Sequence, residues 1–313
     1  MTLPALQLEP GRAGYGSAEY AHALPHLGRP RELRHAGGWI LERSIPGTPH
    51  QDAMGPYPRF CCQDWEGLSR DLRDLQGHLV SLVLVTDPFA SLDEQALRDL
   101  FPDHVLRYKA HYVVELARFG EDSLCANHRR NVRRAGRKVE VEIEPAGPER
   151  LRDWVRLYEG LIVHRGIRGP ARFSRQALAR QLQVPGMYMV HARAEGRVVG
   201  MQLWLRDGPR AYYHLSASDA EGYRRLAAYA MTWEALRFLG SLGVRWADLG
   251  AGAGIHPRPD DGLAYFKQGW ATQTRPVFLC GRILDRRRYR MLCGRAPAGE
   301  TPFFPAYRRG EGA

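Results

Sequence analysis

Three apolar runs decide the fold: Met187-Tyr188-Met189-Val190-His191-Ala192, then Val198 to Leu205, then Ala211-Tyr212-Tyr213-His214-Leu215-Ser216. Each has the length and the aliphatic and aromatic content of a strand. The first two are joined through Glu195-Gly196-Arg197, a tight hairpin signal, so the three read as an antiparallel meander. Downstream, Leu226, Tyr229, Ala230, Trp233 and Leu236 recur at helical spacing, and the helix should stop at Gly243, where positive φ is cheap. A strand from Val244 to Leu249, the turn Gly250-Ala251-Gly252-Ala253-Gly254 and the segment Tyr265-Phe266-Lys267 complete this part. Upstream, Leu151, Trp154, Val155, Tyr158, Leu161 and Ile162 make an amphipathic helix. Ser174 can cap another, with Phe173 and Leu178 as a hydrophobic staple. Two helices, a meander, a helix, a strand, a helix and a last strand predict α/β architecture, with an antiparallel meander feeding a late crossover.

A second set of elements precedes this one. Leu79 to Val85 is a near-continuous apolar run suited to a sheet interior. Ser91 with Glu94 forms a capping box for a helix carrying Leu92, Ala96, Leu97 and Leu100. Val105 to Tyr108 and Tyr112 to Leu116 read as strands around Lys109, and Val139 to Ile143 as another. Between them, Ser123 to Lys138 has helical spacing, with Leu124, Val132 and Ala135 inward and Arg130, Arg134 and Arg137 along another face. Pro145-Ala146-Gly147-Pro148 interrupts the pattern and suggests a boundary. The expected organisation is an irregular arm over 1–35, a first domain over 36–145 that includes the basic connector helix, a second domain over 146–295, and a tail over 296–313.

At 313 residues, 44% hydrophobic and 25% charged, the chain is long enough for one large or two medium cores of ordinary globular composition. No stretch approaches the ~20 apolar residues of a membrane span, and the N-terminus carries no signal-peptide pattern. A cytoplasmic protein is expected. Cys61, Cys62, Cys125, Cys280 and Cys293 form no CxxC pair and no metal-like spacing with histidine, so free thiols and no metal site are expected. The net charge of +11 is local. Arg129, Arg130, Arg133, Arg134, Arg137 and Lys138 occur without an acid between them, and Arg282 to Arg295 carries six basic residues against Asp285. Such patches suit an anionic partner: tRNA, a nucleotide-linked substrate, CoA or anionic lipid, the last as a peripheral membrane contact. A solvated surface of an arginine-rich protein is the competing reading.

Within that arginine-rich background only three lysines occur, Lys109, Lys138 and Lys267. A compact ammonium does what a planar guanidinium does not, as a point charge, a small oxyanion donor or a proton-transferring amine. Lys267 stands out because it lies in Tyr265-Phe266-Lys267-Gln268-Gly269-Trp270, directly after the glycine turn. Asp248, at the end of its strand, is either a turn cap or a substrate-orienting group. Asp87, closing the Leu79–Val85 run, and Lys109 are candidates for the acceptor side. His111, His128, His164 and His214 are candidate bases by their ordinary pKa, and His214 alone alternates with Tyr213 on a strand beside the expected cleft.

The element order resembles the GNAT acetyltransferase fold. Ala211-Tyr212-Tyr213-His214-Leu215-Ser216-Ala217-Ser218 together with Asp261-Gly262-Leu263-Ala264-Tyr265-Phe266-Lys267-Gln268-Gly269-Trp270 is similar to the Fem-type branch, the FemAB-like aminoacyltransferases. Tyr108-Lys109-Ala110-His111-Tyr112 and Asn127-His128-Arg129-Arg130-Asn131-Val132-Arg133-Arg134-Ala135 carry the likeness into the first half, and it spans roughly residues 35 to 290. It implies an α/β (α+β) chain of two tandem GNAT-like domains, each a mixed, mainly antiparallel sheet flanked by helices. It also implies that Lys267 matches the lysine of a Phe-Lys pair near the aminoacyl ester, where its charge would stabilise the tetrahedral oxyanion while Phe266 walls the site. Tyr213, His214, Ser216, Tyr265, Trp270 and Tyr112 would then line the substrate cleft.

The acetyl-CoA users of that fold hold the pyrophosphate on a glycine-rich loop at a helix N-terminus. Here the corresponding stretch is Ser218-Asp219-Ala220-Glu221-Gly222-Tyr223-Arg224-Arg225-Leu226, with two carboxylates that Arg224 and Arg225 would have to offset. Asp248-Leu249-Gly250-Ala251-Gly252-Ala253-Gly254 also resembles the nucleotide turn of S-adenosylmethionine-dependent methyltransferases. That reading fails, because only about sixty residues follow and His256-Pro257-Arg258-Pro259 blocks an immediate helix. The expected function is amide formation by transfer of an acyl or aminoacyl group from acyl-CoA or aminoacyl-tRNA, used as co-substrates with no tightly bound cofactor. The acceptor amine would be a small molecule or a cell-wall precursor. The alternative is a non-catalytic RNA- or nucleotide-binding module built on the same fold.

Overall fold

The computed structural model describes residues 14–254, 261–294 and 303–309. It divides into two compact units. Unit 1 comprises Lys109–Ile167 and the described part of Leu178–Arg275 together with Gly14, and unit 2 comprises Tyr15–Tyr108, Arg168–Ala177 and the described part of Pro276–Ala313.

In chain order the elements are α1 (Ala18–His22), β1 (Arg29–Leu33), β2 (Gly38–Ser44), β3 (Gln51–Met54), α2 (Leu68–Asp74), β4 (Ser81–Val85), α3 (Glu94–Leu100) and β5 (His104–Glu115). Then follow α4 (Ala126–Gly136), β6 (Glu140–Pro145), α5 (Leu151–Arg165), α6 (Arg175–Gln181), β7 (Met187–Ala194), β8 (Arg197–Asp207) and β9 (Arg210–Ser218). The last are α7 (Ala220–Arg224), α8 (Ala227–Ser241), β10 (Trp246–Asp248), α9 (Gly262–Gln268), β11 (Gln273–Ile283) and α10 (Arg286–Cys293).

Unit 1 is built on the expected meander. β6, β7, β8 and β9 pair antiparallel in that order; β10 lies parallel to β9 and antiparallel to the end of β5. Glu195 and Gly196 both take positive φ, the geometry of a two-residue hairpin turn that matches strand twist. Val198 to Leu205 is buried on both faces, which explains why it reads as a continuous apolar run. Trp204, Met231, Leu236, Leu239 and Trp270 belong to the core that packs α8 against this sheet, with Val132 of α4 and Phe266 of α9 at its border. The register slips between Leu203 and Trp204, which pair with Leu215 and Tyr213, so His214 is the extra residue of a bulge in β9.

In unit 2, β1, β2 and β3 pair antiparallel, β3 runs parallel to β4, and β4 pairs antiparallel with β11. Leu68 and Leu72 of α2 and Leu97 of α3 close its core with Ile40, Leu82 and Cys280. Each unit therefore carries a mixed, mainly antiparallel sheet with helices beside it.

The chain is partitioned differently from the expected boundary near residue 145. The division falls inside β5, between Tyr108 and Lys109, and again inside β11, between Arg275 and Pro276, while α4, β6 and α5 share unit 1. The proline-glycine stretch at 145–148 marks only the connection from β6 into α5. Residues 14–35 are not an irregular arm: α1 is capped by Ser17, and β1 pairs along β2. Arg29 and Arg31 both bond Glu42 across that pair, an edge strand held by charge rather than apolar alternation. Of the expected tail, residues 303–309 are structured, because Tyr307 and Arg308 bond the fully buried Asp52; 296–302 and 310–313, like 1–13 of the arm, lie outside the described residues. Helix α3 is capped by Asp93, not Ser91, with the Asp93 carboxylate accepting from the Ala96 amide at 2.8 Å.

Candidate active site

Unit 1 gathers its chemistry around the glycine turn after β10. Asp248, the last residue of β10, is fully buried. Its Oδ1 accepts the Gly250 N–H at 2.8 Å, which caps the turn, and Nδ1 of His111 on β5 lies 3.1 and 3.0 Å from its two oxygens. Gly250 takes φ +75°, a conformation that any side chain would strain, and a Cβ there would lie 3.2 Å from the Lys267 ammonium. Lys267 is on α9 and only 7% exposed; its Nζ donates to the Ala251 carbonyl at 2.7 Å and lies 5.7 Å from the Tyr213 ring centroid. Asp261 ties helix to turn: its carboxylate accepts from Leu263 and Ala264 at the start of α9 and from Ala253 in the turn. Burial pulls that carboxyl upward, but the three backbone donors and the Lys267 charge outweigh it and hold it below the ordinary range.

Lys109 precedes His111 by two positions on β5, so both side chains leave the same strand face. Burial lowers the Lys109 pKa, opposed by the negative charge of Asp261. Two of the three lysines, one histidine and two aspartates therefore surround one turn. From sequence His111 was one of four candidate bases with nothing to single it out, since its partner Asp248 lies 137 residues away and no spacing rule connects them.

The remaining candidates divide. Tyr213 packs edge-on against Trp204, and burial pushes its phenol up to about 12 against a hydrogen bond with Ser216. His214, the bulge residue of β9, has Nε2 3.2 Å from the amide oxygen of Gln181 on α6. Tyr112 contributes backbone bonds, its N–H to Gly250 and its carbonyl to Leu249. Trp270 and Phe266 pack with Tyr229 and His128 at the edge of the unit 1 core. Tyr265 is more than half exposed and accepts from Asn127. Asp87 is buried in unit 2, after β4.

Helix α4 docks onto α9 through His128, which is fully buried. Its Nε2 donates to the Phe266 carbonyl at 2.8 Å, which leaves Nδ1 to accept from the Cys125 thiol at 3.3 Å. Burial lowers the His128 pKa, partly offset by the bond to Phe266. Gly269 is required here, because a Cβ would stand 2.1 Å from His128 Cε1. The outer face of α4 carries an open hollow of about 380 Å³ lined by Ala126, Arg129, Arg130, Arg133, Arg134 and Arg137. Arg129 bonds the Leu124 carbonyl and Arg133 pairs with Glu121. Arg130, Arg134, Arg137 and Lys138 are exposed and have no acidic partner among the described residues.

In the stretch that would face a CoA pyrophosphate, Asp219 accepts the Gly222 N–H at 3.0 Å and pairs with Arg197. Arg224 and Arg225 both pair with Glu221, and Arg225 also with Glu195. These charges are spent within the protein. Among the described residues one group, His35, Asp71 and Asp74 of unit 2, is spaced for a metal ion, but both Asp71 oxygens accept backbone N–H groups, from His35 and Ala36. Among those residues no helix is long and apolar enough to cross a membrane.

Residues 123–267 match the family model of the acetyltransferase (GNAT) domain, a span within unit 1 apart from Arg168–Ala177. Among solved structures the chain is similar to FemX, at 15% identity over 93% of this chain and 98% of that one, with a TM-score of 0.67. It is also similar to the C-terminal domain of a candidate lysylphosphatidylglycerol synthetase from Agrobacterium fabrum, at 14% identity over 87% and 88% of the two chains with a TM-score of 0.61. L-PGS from Bacillus licheniformis aligns at 14% identity over 88% of this chain and 94% of that one, with a TM-score of 0.55. No curated protein sequence matches the chain. At these identities the likeness is one of fold: the chain has the FemAB-like tandem GNAT fold.

Proposed function

We propose that the protein is an acyl- or aminoacyltransferase that forms an amide bond, with Lys267 as the donor to the developing oxyanion. The observation that carries this reading is the burial of the Lys267 ammonium at a glycine turn, in a segment matching the Phe-Lys pair of the Fem-type branch. When an amine attacks an ester or thioester, negative charge grows on the carbonyl oxygen, and a fixed cation in a dry site stabilises it by about 2.7–4 kcal/mol. The ammonium has three N–H donors, and a short bond to Ala251 fixes its position.

An aminoacyl-tRNA is favoured as donor over acyl-CoA. The helix N–H that would meet a CoA pyrophosphate is already taken by the Asp219 carboxylate, and Arg224 and Arg225 are committed to Glu221. The arginine hollow on α4 offers unneutralised positive charge for a phosphodiester backbone. The acceptor is an amine on a small molecule or cell-wall precursor, and the reaction is assigned to the cytoplasm, where charged tRNA is found. The test is incubation with charged total tRNA and with a panel of acyl-CoAs, each with amine acceptors, followed by mass detection of donor loss and amide product. Consumption of aminoacyl-tRNA with amide formation supports the reading. Tight, salt-sensitive RNA binding with no acyl product from any donor would favour a silent binding module instead.

A further inference from the structure

We infer that the arginine face of α4 and the Tyr265 ring of α9 form one binding surface for single-stranded RNA, with phosphates on the arginines and a base stacked on the ring. The inference rests on the aminoacyl-tRNA donor favoured above, and it names the part of that donor which this surface meets: the unpaired end, not the duplex stem. Two kinds of side chain tell such sites apart. Cations track the backbone of single and double strands alike, but only an unpaired base can lie on an exposed aromatic ring.

The cations come from one helix. Arg130, Arg134 and Arg137 recur at i, i+4 and i+7, which spaces them over about 10 Å of α4 on one side of its axis. All three line the hollow of about 380 Å³. They are exposed and meet no carboxylate among the described residues, since Glu121 pairs with Arg133. Arg130 donates instead to the neutral Asn127 side chain, with Oδ1 at 2.7 Å, so its charge is not cancelled.

The same Asn127 joins the ring to the arginine row. A guanidinium only donates, so the amide oxygen faces Arg130, and the amide nitrogen donates to the Tyr265 hydroxyl at 3.0 Å. One short side chain thus spans the gap from guanidinium to phenol. Tyr265 is 55% exposed, although it sits in the interior of a helix. The fully buried His128 lies with its ring centroid 6.0 Å from that of Tyr265, and its bond to the Phe266 carbonyl anchors α4 to α9. Gly269 permits that approach, because a Cβ there would collide with His128. Row and ring therefore ride on two helices locked together, and a surface fixed in advance loses little conformational entropy on binding. Stacking on the ring draws on no net charge, which separates its contribution from that of the arginines in a salt series.

The experiment measures binding of the full chain to a single-stranded RNA of about 10 nucleotides and to the same sequence as a blunt duplex, by anisotropy over a salt series, with thermal melts on each variant. A second version of the strand carries a fluorescent adenine analogue whose emission falls when it stacks. The expected result is tighter binding of the single strand than of the duplex, with quenching of the analogue by wild type. Tyr265→Leu should weaken single-strand binding about 5–100-fold and abolish quenching, with the salt slope unchanged. Tyr265→Phe keeps the ring and should keep both affinity and quenching, which a role confined to the hydroxyl contact would not give. Arg134→Gln should do the reverse, lowering the slope by about 0.7 while quenching remains. Equal affinity for strand and duplex, or a folded Tyr265→Leu chain that binds and quenches as wild type does, overturns the inference and leaves the donor reading standing on the arginines. Absence of quenching by wild type overturns it without recourse to any variant. Anionic phospholipid vesicles bound in preference to either RNA overturn it in favour of a membrane surface. No amide from charged tRNA in the donor panel overturns the donor reading and, with it, the assignment to an unpaired tRNA end.

Discussion

Lys267→Met is the perturbation with the most to say. Methionine keeps the length and most of the volume of the lysine stem, so a side chain that is 7% exposed is replaced with little cavity or overpacking. The structural loss includes the 2.7 Å bond from Nζ to the Ala251 carbonyl. Hydrogen bonds to charged groups contribute about 1.5–3 kcal/mol, and part of that is returned because a buried ammonium no longer has to be desolvated. The fold should survive with a Tm lowered by a few degrees. The catalytic loss is larger, because removing an oxyanion donor costs about 10²–10³ in kcat, and since the interaction exists only in the transition state it should leave KM nearly unchanged. Lys267→Arg should fail as well. A planar guanidinium with five donors does not reproduce a compact ammonium held 2.7 Å from the Ala251 carbonyl. The assay is single-turnover transfer from the donor that the panel identifies, with circular dichroism on each variant. A folded Lys267→Met protein within tenfold of wild-type kcat would refute the oxyanion role.

Other expectations follow from the same contacts. Gly269→Ala places a methyl group 2.1 Å from the His128 ring, so urea denaturation should show a loss of about 1–3 kcal/mol; no change would mean that α4 and α9 do not pack as described. Replacing Arg130, Arg134 and Arg137 by glutamine should weaken RNA binding and reduce the salt slope by about 0.7–0.9 per arginine, measured by filter binding or anisotropy; an unchanged slope would remove α4 from the interface. Burial lowers the pKa of His26, His104, His128 and His191 below 6.5. The unfolded chain takes up those protons near pH 6.5 while the folded chain does so only at lower pH, so their contribution is fully present above 6.5 and is lost as pH falls through the folded values. Thermal melts should show Tm declining from pH 7 to pH 5, and a flat profile over that range would contradict the burial.

What could be read from sequence was local. The hairpin at Glu195-Gly196 and the helix stop at Gly243 follow from residues that accept positive φ, and both occur where expected. The buried β8 was visible because a strand covered on both faces has no polar alternation to disguise it. Misreadings came where charge did the work of apolar pattern. β1 is held through Arg29, Arg31 and Glu42, and the described tail through Arg308 and Asp52, neither of which leaves a periodic signal. At α3 two neighbouring residues could cap, and Asp93 won while Glu94 turned to Arg98. The site was half legible. Lys267 and Asp248 were visible at a glycine turn, but pairing with His111 depends on β5 lying beside β10, a contact across more than a hundred residues.

Arginine and lysine occupy different kinds of position in unit 1. Arginine supplies surface charge throughout unit 1, and much of it is paired: Arg150 with Glu142 and Glu144, Arg156 and Arg197 with Asp219, Arg224 and Arg225 with Glu221. A guanidinium exposes five donors in a plane, and burying it requires an acceptor for nearly all of them. An ammonium needs fewer, so it fits beside a glycine turn whose carbonyls point inward. Lys267 does so, and Lys109 is half-buried on the strand beside it, with only Lys138 left at the surface. If arginine bias alone had set these positions, lysine should accumulate where exchange costs least, on exposed faces. Two of the three instead lie on the elements beside the glycine turn, where Lys267 is buried with its ammonium on the Ala251 carbonyl, the placement that the proposed oxyanion role requires.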